Sequence, residues 1–118
     1  MKYVLMFTTD ESQLAGVSEE DAQAVYGRIY AWFGENASVL VDTGAELQPV
    51  ETATTVKHGG VVVDGPFNEA KEVIGGFSVI EVADMDAAIA VAKTWPALEM
   101  PGVAVEIRPM VEDYSQFE

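Results

Sequence analysis

Apolar and polar positions along the chain fall into short segments of two different periods. Met1–Thr8 has apolar residues on both phases of a period-2 pattern, with Tyr3, Leu5 and Phe7 on one face and Val4 and Met6 on the other. A strand of that kind is covered on both sides. The period changes after Ser18. Ala22, Val25, Ile29, Trp32 and Phe33 recur at helical spacing and form a broad apolar stripe. Ser18 is a good N-cap, and Glu19, Glu20 and Asp21 place negative charge at the positive end of the helix dipole. Gly34-Glu35-Asn36 is expected to end the helix, and Val39–Val41 begins a second strand that reaches about Leu47.

Thr52–Lys57 and Gly60–Asp64 flank the sequence HGG, which reads as a hairpin turn. Gly76–Val82 is again apolar on both phases, with Phe77 and Val79 on one side and Ile80 and Val82 on the other. Asp84 caps a second helix with Met85, Ile89 and Ala92 turned inward, and Pro96 stops it soon after Trp95. Gly102 leads into a last strand, Val103–Pro109. The acidic tail, Glu112–Glu118, either runs loose or packs through Tyr114 and Phe117.

The order is therefore β-α-β, a hairpin, then β-α-β. Without the hairpin it is the ferredoxin-like split βαβ plan, an α+β fold. Two helices cover one face of such a sheet. The first strand and the strand at Gly76–Val82 demand a cover on the other, and the simplest is a second copy related by a two-fold axis. The pattern thus predicts a homodimer.

Length and charge narrow the function. A chain of 118 residues suits one domain spanning 1–118. With 20 acids, 6 bases and a net charge of −14, it repels phosphate backbones and anionic membrane surfaces. No nucleic acid or membrane partner is expected. The first strand is too short to span a bilayer and meets Asp10-Glu11 where a signal peptide would be cleaved, so a cytoplasmic protein is expected. With no cysteine, disulfides, thiolate metal sites and a cysteine nucleophile are excluded.

The connector after the hairpin holds most of the candidate chemistry. It reads Asp64-Gly65-Pro66-Phe67, then Glu69, Lys71 and Glu72, then Gly75-Gly76-Phe77. This block is similar to the signature of the YCII-related proteins, in their DGPF-type branch. KYVLMF at 2–7, LQP at 47–49, ATTVK at 53–57 and VEIRP at 105–109 extend the resemblance over nearly the whole chain. It implies a ferredoxin-like subunit in a dimeric α+β barrel. Most such proteins have no assigned activity. A few relatives act without a cofactor on small, often aromatic molecules, one reaction being a lyase-type removal of chloride. Some DGPF-type proteins resemble accessory proteins encoded beside extracytoplasmic-function sigma factors. Enzymatic relatives use a His–Asp pair in the barrel cleft. The single histidine here, His58, is read on the hairpin tip, so that pair is not carried over.

Two readings follow. In the first the protein is a cofactor-independent, lyase- or isomerase-like enzyme acting on a small aromatic or carbonyl compound. Asp64 or Glu72 moves protons, and Lys71 and Arg108 stabilise negative charge or hold an anionic or phenolate substrate. Phe67 lines the pocket and Glu69 completes the charged cluster. Arg108 is then the electrostatic partner of Asp64 or Glu72. In the second the protein is a non-catalytic dimer that binds a ligand or a protein. There Asp64-Gly65-Pro66 is turn chemistry and Phe67 plugs the core. Neither reading calls for a metal. Tyr26, Tyr30 and Trp32 are read as core and helix–sheet contacts.

Overall fold

The computed structural model describes residues 1–14, 16–65 and 72–115. Lys2–Asp10 forms β1, followed by the short helix α1, Glu11–Leu14, and the long helix α2, Glu19–Glu35. Strand β2 is Leu40–Glu46. The hairpin pairs β3, Thr54–Val56, with β4, Val62–Asp64. Strand β5 is Glu72–Glu81, α3 is Met85–Ala92 and β6 is Val103–Pro109. The main sheet is antiparallel in the order β2-β5-β1-β6, and the hairpin is a separate two-stranded sheet. With the hairpin set aside, that is the expected split βαβ order.

The caps act as their sequences suggest. Ser18 accepts a hydrogen bond from the amide of Asp21 at 3.1 Å, and Asp84 accepts one from the amide of Ala87 at 2.9 Å. Pro96 opens a 3-10 turn after α3. Two expectations are corrected. Strand β5 begins at Glu72 rather than Gly76, so the last charged residue of the connector lies on a strand. In α3 Ala92 is buried and Met85 packs against the core as expected, but Ala88 rather than Ile89 takes the inward place between them.

The core lies between the helices and one face of the sheet. Tyr3, Leu5 and Phe7 of β1 and Ile80 of β5 meet Val25 and Trp32 of α2, Ala88 and Ala92 of α3, and Trp95. Phe7 stacks on Trp95 with ring centroids 3.8 Å apart, and the edge of Trp32 meets both rings. The buried indole N–H of Trp32 donates to Thr94 Oγ1 at 2.8 Å, and the buried Ser78 hydroxyl donates to the Thr43 carbonyl at 2.8 Å. No buried polar side-chain atom among the described residues lacks a partner, as a close-packed interior requires.

The register assigns the other face. Val4 pairs with Val79 of β5 and Arg108 of β6, and Met6 pairs with Phe77 and Glu106. Side chains alternate along a strand, so these residues point away from the helices. Val4, Met6, Phe77 and Val79 form an apolar strip along the two central strands, half-buried by their own neighbours and uncovered by any helix of this chain. Arg108 and Glu106 rim it, with Lys2 and Glu81, a pair in register, at one end.

Candidate functional site

A cleft of about 1070 Å³ opens between α2 and one end of the sheet. Its α2 wall is Val25, Tyr26, Ile29, Tyr30 and Phe33, and its sheet wall includes Phe7, Thr8, Thr9 and residues 73–77 of β5. Trp95, Ala97 and Met100 close the inner end, and Glu11, Leu14 and the segment 43–50 border it.

Two backbone irregularities shape this wall. Strand β2 carries extra residues between Leu40 and Asp42 and between Asp42 and Ala45. At the second, Gly44 has φ +73°, and its amide donates to Asp42 Oδ1 at 2.7 Å. The shift leaves Glu46 opposite Gly76, and Gly76 pairs with the inward-facing Phe7. Glu46 therefore faces the helices. Strand β5 is itself irregular here: Phe7 pairs with Gly76 but Thr8 pairs with Ile74, so Gly75 is the extra residue of a bulge. A Cβ on Gly76 would lie 2.9 Å from the Ala45 carbonyl oxygen. Gly76, the second glycine of the signature, thus lets β2 and β5 approach each other at the cleft wall.

One hydrogen bond joins two side chains on the cleft wall. The Tyr26 hydroxyl donates to Glu46 Oε1 at 2.9 Å, joining α2 to the end of β2. That hydrogen bond, with partial burial and the negative charge of Glu46, raises the Tyr26 phenol above its usual range. In this contact Tyr26 is the hydrogen-bond donor and Glu46 the acceptor. A donor and an acceptor on a mainly apolar wall are the minimum for moving a proton on a bound ring.

The sequence reading missed this pair. It placed Tyr26 and Tyr30 with the core, whereas they are 58% and 85% exposed. They follow Val25 and Ile29 by one position, and one position turns about 100° around a helix. Only Trp32 is a core residue, at 1%. Glu46 carried no signal as one acid among 20, although the neighbouring Gly44 hinted at a bulge.

Of the expected charged cluster, the described residues Asp64, Glu72 and Arg108 do not line the cleft. Asp64 is exposed at the end of β4, outside the cleft lining. The end of this strand is tied to β3: the Gly65 amide donates to the Ala53 carbonyl at 2.7 Å, and Thr55 Oγ1 donates to the Gly65 carbonyl at 2.7 Å. Gly65 supplies the permissive φ, +90°. Glu72 is exposed at the start of β5, in register with Asp10. Arg108 is in register with Val4, six residues along β1 and on the face away from the cleft. At about 3.3 Å per residue that is about 20 Å from the Glu72 position, so within one subunit the two are not partners. Phe67, Glu69 and Lys71 lie outside the described residues. His58 is exposed on the hairpin tip, as expected. No group of acidic or histidine side chains among the described residues is placed to hold a metal ion, and no helix among them is long and apolar enough to cross a membrane.

Comparison with known proteins follows the same outline. The model of the YCII-related domain matches residues 1–111. An uncharacterised protein of Rhizobium meliloti (strain 1021) is 30% identical over 119 residues, covering 93% of this chain and 92% of the relative. Among solved structures, the 5-chloro-2-hydroxyhydroquinone dehydrochlorinase of Burkholderia phenoliruptrix AC1100, in complex with 2,5-dihydroxybenzoquinone, superposes with a TM-score of 0.57. It is 12% identical, and the match covers 96% of each chain. At that identity the likeness is one of fold.

Proposed function

This chain belongs to the YCII-related family, and on that premise we propose that it is a cofactor-independent enzyme acting on a small aromatic or carbonyl compound in the α2–sheet cleft. The observation that carries the reading is the Tyr26–Glu46 hydrogen bond on the wall of an apolar cleft of about 1070 Å³. The volume suits a ring-sized molecule with room to spare. Glu46 accepts a proton from the bound compound, and the Tyr26 hydroxyl donates to the oxygen on which negative charge develops. Such steps suit a lyase- or isomerase-type reaction, which needs no external electron source. The structural neighbour supports this choice, being a dehydrochlorinase seen with a dihydroxyquinone. The working unit in this reading is a homodimer, its sheets packed face to face through Val4, Met6, Phe77 and Val79.

Thermal shift with a panel of dihydroxybenzenes, quinones and cyclic ketones tests the proposal. The wild type is expected to gain several degrees with at least one compound. Glu46→Gln and Tyr26→Phe, both on exposed side chains, are expected to melt within about 2 °C of the wild type and to lose that protection. Asp64→Asn and Arg108→Met, which alter positions outside the cleft, are expected to keep it. If no compound protects the wild type, the enzyme reading fails and a non-catalytic dimer remains.

A further inference from the structure

We infer that the cleft takes its ligand without negative charge, admitting a hydroxylated ring as the protonated phenol and turning away the phenolate. The inference rests on the reading of the cleft as the ligand site and reverses the charge expected from Lys71 and Arg108. Its basis is the set of titratable groups that the described residues place on the wall. They are Glu11 from α1, Tyr26 and Tyr30 from α2, and Glu46 from β2. The parts of β1, β5, β6 and the segment after α3 that line the cleft add apolar, glycine and threonine residues only. No lysine, arginine or histidine among the described residues lines it. Arg28, although on α2, is paired with Glu99 at 2.6 Å and stands outside.

The physical consequence is one-sided. A ligand entering an apolar cleft gives up water, and an ion loses far more than a neutral molecule unless a counter-charge replaces that water. Among the described residues the charges on offer are two carboxylates, Glu11 and Glu46, which repel an anion. A neutral hydroxyl meets the opposite situation: Glu46 can accept its proton, and the Tyr26 oxygen still has acceptor capacity. Tyr26 already responds to this field, since its hydrogen bond to Glu46 and the charge of Glu46 hold its own phenol protonated. A ring hydroxyl placed beside it faces the same pair. Any negative charge on the ligand then arises after binding, when Glu46 has taken the proton and become neutral.

The test uses para-nitrophenol, which ionises near neutral pH and whose two forms absorb at different wavelengths, with hydroquinone as a probe that stays neutral. Affinities of both are measured from pH 6 to pH 9 with the intact protein. The inference expects bound nitrophenol to show the phenol band at pH values where the free compound is phenolate. Its dissociation constant should rise about tenfold per pH unit above its own ionisation, because only the protonated fraction is competent, while that of hydroquinone stays flat. A phenolate band in the complex, or equal affinity on both sides of the ionisation, overturns the inference and leaves the cleft reading standing. If hydroquinone does not bind at any pH, the cleft reading fails and this inference falls with it.

Discussion

Gly44→Ala is expected to lower the melting temperature by about 10–20 °C. A Cβ at this position would lie 1.7 Å from the Phe77 carbonyl oxygen, which is backbone and cannot turn aside. The φ of +73° adds a second cost, since an L-residue with a side chain is disfavoured there by about 1–2 kcal/mol. Forcing the strands apart adds about 1–3 kcal/mol. Together these amount to about 2–5 kcal/mol, and each kcal/mol shifts the midpoint of a domain this size by about 4 °C. Gly59→Ala separates the two costs. Gly59 has φ +81° on the hairpin tip, with nothing near the would-be Cβ. It should lose only the conformational part, about 1–2 kcal/mol. Equal losses in the two variants would show that β2 does not press on β5 as described. Because Glu46 is placed by the same irregularity, any Gly44→Ala protein that remains folded should also bind cleft ligands poorly.

Met6→Asp is expected to turn a dimer into a monomer. Met6 lies at the centre of the uncovered strip, between Phe77 and Glu106. A two-fold interface would contain two such aspartates, each without a counter-charge in an apolar contact, at several kcal/mol apiece. Sedimentation velocity should give the wild type at twice the 12.7 kDa chain mass and the variant at the chain mass. The variant should also melt lower, and its midpoint should no longer depend on concentration. Glu106→Gln, on the rim, should leave the dimer intact. A wild type that sediments as a monomer, or a Met6→Asp protein that still pairs, would remove the second copy from the account.

Much of the framework was legible because it rests on local rules. The double-sided apolar pattern of β1 and β5 follows from the pleat, and the register bears it out: Tyr3 and Ile80 face the helices, Val4 and Val79 face away. Ser18, Asp84 and Pro96 mark element ends through backbone chemistry that any observer of sequence can apply. Arg108 shows a rule left unused. Val103, Val105 and Ile107 alternate toward the core, so Glu106 and Arg108 had to face away. Scarcity of bases drew attention to Arg108, but scarcity carries no direction. Tyr26 and Glu46 were not legible for a different reason. Their meeting depends on two extra residues in β2: the two shifts cancel in face, so Glu46 shares the face of Leu40, but they carry it opposite Gly76 where an even register would leave it opposite Ile74. The connector signature divides in the same way: its glycines line the cleft wall, whereas Asp64 ends β4, in register with Thr54 and outside the cleft.

The cleft is tested most directly by amide chemical-shift mapping of the labelled protein titrated with hydroquinone. The account predicts saturable shifts at Val25, Tyr26, Ile29, Glu46 and Val73–Gly76, with the hairpin at 54–65 and the strip around Val4 and Val79 unmoved. Shifts confined to the hairpin or to the strip, or none at saturating ligand, would contradict it.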